Sequence, residues 1–178
     1  MILTNDESVI RRAEALRTPA PDNRTEFAEI SLNFRMSNLH AAVGVAQLER
    51  FEEIIARKRR VAKYYDDAFR ECTEIESVLE DPWARCVYWR YTIMITDASR
   101  RSRDEVVEEL NKQGIQARSI FYPMHLHPYY RAKTPLSFPN AEEFSLRGID
   151  LPTSPKLESP DLARVVEAIS RTVGTKGC

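Results

Sequence analysis

A chain of 178 residues with 43% hydrophobic and 30% charged side chains can bury a core as one domain, or one and a part, and is not a disordered composition. Its net charge of -1 gives no electrostatic reason to expect DNA, RNA or an acidic membrane as partner. No apolar run approaches membrane-spanning length, "MILTNDESVI" is not a signal peptide, and Cys72, Cys86 and Cys178 lack CxxC or zinc spacing, a pattern that reads as reduced thiols in a cytoplasmic protein.

"MILT" reads as a short strand, followed by a helix in "TNDESVIRRAEALR" with Thr4 as N-cap and Glu7 in the capping-box position. "TPAPDNRTEF" is a polar, proline-bearing loop. Ser37 caps a second helix from about Asn38, and its first part, Leu39 to Leu48, is apolar nearly all round. Such a helix is buried on several sides, in a core or at a subunit contact. Apolar residues at Phe51, Ile54, Ile55, Ala62, Tyr65 and Phe69 carry an amphipathic helix on to about Glu71. The run Arg57 to Arg60 within it reads as a solvated face.

Val87 to Thr96, "VYWRYTIMIT", reads as a strand with Trp89 expected in the core. "SRDEVVEELNKQG" is a helix with Ser102 as cap, Glu105 in box position and Gly114 as stop. "IQARSI" is a strand, "FYPMHLHPYY" a proline-broken aromatic loop, "NAEEFSLRG" a short capped helix and "IDLP" a short strand. "SPDLARVVEAISRTVG" is a final helix, with Ser159 as cap and Pro160 at its first position. Strands alternate with helices, so the class is α/β or α+β.

With five glycines there is no glycine-rich phosphate loop, and neither GxSxG nor HExxH occurs. His125 and His127 lie two apart without an obvious third metal ligand. Phe121, Tyr122, His125, Tyr129 and Tyr130 share one loop, which either orients a ligand or packs on a sheet. Asn33 and Arg35 precede a helix start, where free N–H groups favour an anion, but taken alone they read first as a simple loop-to-helix junction.

Taken together, "LNFRMSNLHAAVGVAQLERFEEIIARKRRVAKYY", "GIQARSIFYPMHLHPYY", "FPNAEEFSLRGIDLPTSPKL" and "MILTNDESV" resemble segments of the DegT/DnrJ/EryC1/StrS aminotransferases, with Phe34 where tyrosine is usual. "VYWRYTIMI" and "FYPMH" look most like the GDP-perosamine synthase branch. The resemblance implies the C-terminal part of a fold-type-I, pyridoxal-phosphate-dependent enzyme of α/β class. Residues 1–50 would be the remnant of the large cofactor-binding domain with its dimer-interface helix, and 51–178 the small α/β domain.

It further implies that Asn33 and Arg35 contact the cofactor phosphate across a dimer interface. Arg118, Phe121, Tyr122 and His125 would border a nucleotide-sugar pocket. The family's Schiff-base lysine lies upstream of the point matching Met1, and none of the six lysines falls in its segment. A half-enzyme inactive alone is therefore expected, partnered by its own copies or by a complementary N-terminal half. The alternative is a non-catalytic sugar-nucleotide-binding or dimerisation module.

Overall fold

The computed structural model describes residues 2–17, 35–78, 80–131 and 137–174. The chain divides into two compact units, Met1–Phe51 and Glu52–Cys178.

In the first unit, α1 spans Glu7–Arg17 and α2 spans Asn38–Glu49. The N-cap of α1 is Asp6 rather than Thr4: its Oδ1 accepts from Ser8 N (2.8 Å) and Val9 N (3.4 Å). The Ser8 hydroxyl donates to the same oxygen (2.6 Å), and together with these backbone bonds it favours the carboxylate and lowers the Asp6 pKa. Thr4 sits one step back, accepting from Asp6 N (3.1 Å). Ile2 to Thr4 form no strand, against the sequence expectation, because a strand needs a neighbour's ladder. Ser37 caps α2 as expected, accepting from His40 N (3.4 Å). None of the residues of α2 is buried in the isolated chain, and Leu39 and Leu48 are 82% and 71% exposed.

The second unit packs three long helices on an antiparallel sheet. Its elements are α3 (Phe51–Phe69, whose first residue closes the first unit), β1 (Ile75–Ser77), β2 (Tyr91–Ile95), α4 (Arg103–Lys112), β3 (Arg118–Ser119), α5 (Pro128–Arg131), α6 (Pro139–Arg147), β4 (Gly148–Leu151) and α7 (Ser159–Val173). Strand order is β1-β2-β4-β3, every neighbour antiparallel. Register sorts the side chains by face. Tyr91 opposite Leu151, Ile93 opposite Ile149 and Ile95 opposite Ile75 join the core with Val61, Tyr65 and Phe69 of α3, Val106 and Leu110 of α4, and Leu162, Val165 and Ile169 of α7. The intervening row, Thr92, Asp150 and Arg118, belongs to the opposite face.

The buried phenols are satisfied: Tyr65 donates to Pro152 O (3.0 Å) and Tyr91 to Asp66 Oδ1 (2.6 Å). Burial raises both phenol pKa values. The capping box of α4 forms as its sequence requires, with Ser102 and Glu105 bonding reciprocally, and Gly114 follows in the left-handed region at φ 74°. The N-cap of α7 is Glu158 rather than Ser159, paired with Asp161 in a capping box, which moves Pro160 to the second position. The strand expected from Val87 begins only at Tyr91, because Tyr88 takes a left-handed turn at φ 46° and breaks the ladder. Cys72 is disulfide-bonded, which departs from the expectation of reduced thiols, and Cys86 is free.

Candidate functional site

The turn that interrupts the expected strand builds most of the site. It is held from beneath by the basic run of α3. Lys58 Nζ donates to three carbonyls, those of Tyr88 (3.1 Å), Trp89 (3.4 Å) and Thr153 (3.1 Å). Arg59 meets Glu80 through two parallel bonds (2.9 and 2.8 Å) and donates to Cys86 O (2.7 Å). Glu80 in turn accepts from Cys86 N. The Arg59 bond and the Cys86 N–H hold the Glu80 carboxyl at about 2. Arg60 donates to Leu157 O (3.0 Å), and only Arg57 pairs solely along its own helix, with Glu53 (2.8 Å). The solvated face expected for this run is therefore a clamp at three of its four residues. The sequence concealed this because the carbonyl acceptors lie some thirty and ninety residues away.

From that anchored turn Trp89 and Arg90 project. Trp89 is 66% exposed, which corrects its expected place in the core. The Arg90 guanidinium lies 4.4 Å from the Trp89 ring centre and 4.5 Å from that of Phe121. The two rings are 6.5 Å apart and tilted by 25°. Arg90 is fixed by an ion pair to Asp150, which also accepts from Thr92 Oγ1 (2.7 Å) and is 7% exposed. Arg118 stands opposite Asp150 in the strand register, exposed and without an ion pair or hydrogen bond among the described residues.

Beyond β3 the aromatic loop continues. Phe121 and Tyr122 are exposed, and Pro123 is buried. Tyr122 meets the His127 ring edge-on at 5.2 Å. His125 turns inward: its Nε2 lies 2.9 Å from Glu142 Oε1 on α6, which also accepts from Phe138 N (3.2 Å). These bonds lower the Glu142 pKa. The His125 side chain is 10% exposed, so it ties the loop to α6. No group of three or more His, Cys, Asp or Glu among the described residues is placed to hold a metal.

Arg118, Phe121, Tyr122 and His125 thus occupy one strand-and-loop segment of the second unit. Asn33 lies outside the described residues. Arg35 lies in the first unit, exposed and without an ion pair or hydrogen bond among the described residues. Sequence reasoning missed Trp89, Arg90 and Asp150 as site residues. An arginine inside the otherwise apolar run Val87 to Thr96 was the available signal. Among the described residues are two open hollows, the first against the same turn. One of about 630 Å3 is bordered by Arg59, Arg60, Lys63, Tyr64 and Glu80. Its cations are matched by carboxylates, Arg59 with Glu80, Lys63 with Asp67 and Arg60 with Glu158. The other, about 400 Å3, lies between β1, β2 and α6.

The sequence model of the DegT/DnrJ/EryC1/StrS aminotransferase family matches residues 1–170. The chain belongs to this family. GDP-perosamine synthase of Caulobacter vibrioides is 32% identical over 179 residues, covering 97% of this chain and 47% of the relative. A putative pyridoxal phosphate-dependent aminotransferase of Bacillus subtilis, EpsN, is 29% identical, covering 95% and 45%. The crystal structure of DesV from S. venezuelae in complex with a ketimine intermediate matches with a TM-score of 0.82 at 26% identity, covering 97% of this chain and 46% of that one. The chain spans about half the length of the curated relatives it matches, and its elements correspond to the C-terminal part of a sugar aminotransferase fold. No helix among the described residues is long and apolar enough to cross a membrane.

Proposed function

We propose that this chain is the C-terminal half of a pyridoxal-phosphate-dependent aminotransferase acting on a nucleotide-linked 4-keto-6-deoxysugar, as a perosamine synthase does, and that it is inactive alone for want of a Schiff-base lysine. The observation that carries the reading is Arg118, an unpaired guanidinium leading into the exposed Phe121 and Tyr122, in a chain whose relative makes GDP-perosamine. An aromatic surface next to a free cation suits a ligand that is part ring and part phosphate.

The lysines support the second clause. Lys58 spends its three donors on carbonyls, Lys63 is paired with Asp67 and Lys112 with Glu108, while Lys156 is exposed. Lys133 and Lys176 lie outside the described residues. Pyridoxal phosphate, when bound, supplies the electron sink for transamination. Arg35 fits its phosphate: the guanidinium has no partner among the described residues and precedes the capped start of α2. Asn33 would join it. Arg118, Phe121 and Tyr122 would orient the nucleotide sugar, His125 would hold their loop against α6, and a lysine on the complementary half would move the proton. The exposed α2 would be covered by a second copy or by that complementary half. The same apolar helix also suits a dimerisation module without catalysis, and that reading requires no lysine-bearing partner.

Incubation of the full chain with pyridoxal phosphate, borohydride reduction and intact-mass analysis with lysine mapping tests the reading. The expected result is no site-specific adduct until a lysine-bearing half is added. One stoichiometric adduct on a lysine of this chain would overturn it.

A further inference from the structure

We propose that the rings of Trp89 and Phe121 form a stacking platform for the planar base of a nucleoside diphosphate, held in place by the Arg90–Asp150 pair, with Arg118 taking the phosphates. This rests on the nucleotide-sugar reading above and adds which residues hold the base. Large aromatic side chains that remain two-thirds exposed are normally mobile, but these two are fixed from one side. Arg90 touches both rings, and its own position is set by Asp150, itself bonded to Thr92. Trp89 and Phe121 are 66% and 68% exposed, so each ring keeps surface open to a ligand.

The guanidinium draws electron density from both rings, so their free surfaces favour an electron-rich purine over a second cation. Side chains directly opposite on paired strands stand about 5 Å apart at Cβ, so the register places Arg118 beside Asp150 on the row that anchors the platform. Because Asp150 is already engaged with Arg90 and Thr92, the Arg118 charge is left for a ligand. Arg90 is a positioning residue here; Trp89, Phe121 and Arg118 make the contacts.

The chain has two tryptophans, so replacing Trp83 by Phe leaves Trp89 as the sole reporter. The full chain in that background is titrated with GDP, guanosine and pyrophosphate, following Trp89 emission and, in parallel, equilibrium dialysis. GDP is expected to quench Trp89 saturably, and pyrophosphate to bind without quenching. Trp89→Leu or Phe121→Leu should weaken GDP about 10-fold, or about 1.4 kcal/mol, and leave pyrophosphate unchanged. Arg118→Gln should weaken GDP and pyrophosphate alike but not guanosine. Arg90→Met should weaken GDP with an unchanged far-UV spectrum, and Arg90→Lys should recover it only in part, since an ammonium lacks the planar fork.

Absent quenching, or GDP affinity untouched by Trp89→Leu, overturns the platform. The two readings fail separately. Quenching as described in a chain that no lysine-bearing half activates sinks the aminotransferase reading alone. A reconstituted enzyme whose KM for its nucleotide sugar ignores Trp89→Leu sinks the platform alone.

Discussion

Lys58 and Arg57 are sequence neighbours of the same charge on α3, and the structure assigns them opposite weights. Lys58→Met keeps the apolar stem and removes the ammonium that joins Tyr88 O, Trp89 O and Thr153 O. A hydrogen bond from a charged donor contributes ~1.5–3 kcal/mol, but three such terms do not add here. Burial lowers the Lys58 pKa, so part of the gain is already spent on desolvation. Trp89 O keeps a second donor in Thr153 Oγ1 (3.1 Å), and water reaches the half-exposed site. The net loss should be ~2 kcal/mol, which for a domain of this size lowers Tm by ~8 °C. Arg57→Met removes only an exposed pair with Glu53 and should change stability by less than ~0.5 kcal/mol. Thermal melts of the two variants by far-UV circular dichroism decide the matter. Melting temperatures within ~2 °C of each other would refute the clamp.

Glu80 makes the same turn sensitive to acid. Its folded pKa of about 2 lies below the ordinary 4.5, so its contribution is full above the ordinary value and disappears as pH falls from there towards 2. Tryptophan emission should change over that window, and the same change surviving in Glu80→Gln would contradict the assignment. Gly148→Ala places a Cβ 2.7 Å from both Ile120 Cδ1 and Phe144 O; one of these is backbone and cannot swing away, so a loss of ~1–3 kcal/mol is expected in urea melts. Glu at Leu39 and Leu48 should convert an associating chain to a monomer in sedimentation, and a wild-type chain already monodisperse as a monomer would contradict the interface role of α2.

Several local signals were legible because their partners lay within one turn of helix. The capping box of Ser102 and Glu105, the left-handed Gly114 and the apolar stripe of α3 each involve residues three or four apart, and each forms as read. Even here competition within a turn went unseen: Asp6 displaced Thr4 and Glu158 displaced Ser159 as N-cap, since several neighbouring side chains can reach the same N–H groups. Strands were harder. β1 has three residues and exists because β2 supplies its ladder, whereas Ile2 to Thr4, with a stronger apolar pattern, find no ladder among the described residues.

The family was readable from ordered motifs, and the residues from Arg118 to His125 lie together on one strand and the loop that follows it. What only the tertiary structure decided was which charged and aromatic side chains serve that segment. Lys58 and Arg59 face carbonyls far along the chain, Trp89 is turned out by a left-handed residue beside it, and Arg90 reaches Asp150 across sixty positions. A charge or a ring carries no local record of its distant partner, and only the packing of helix, turn and sheet brings such partners within bonding distance.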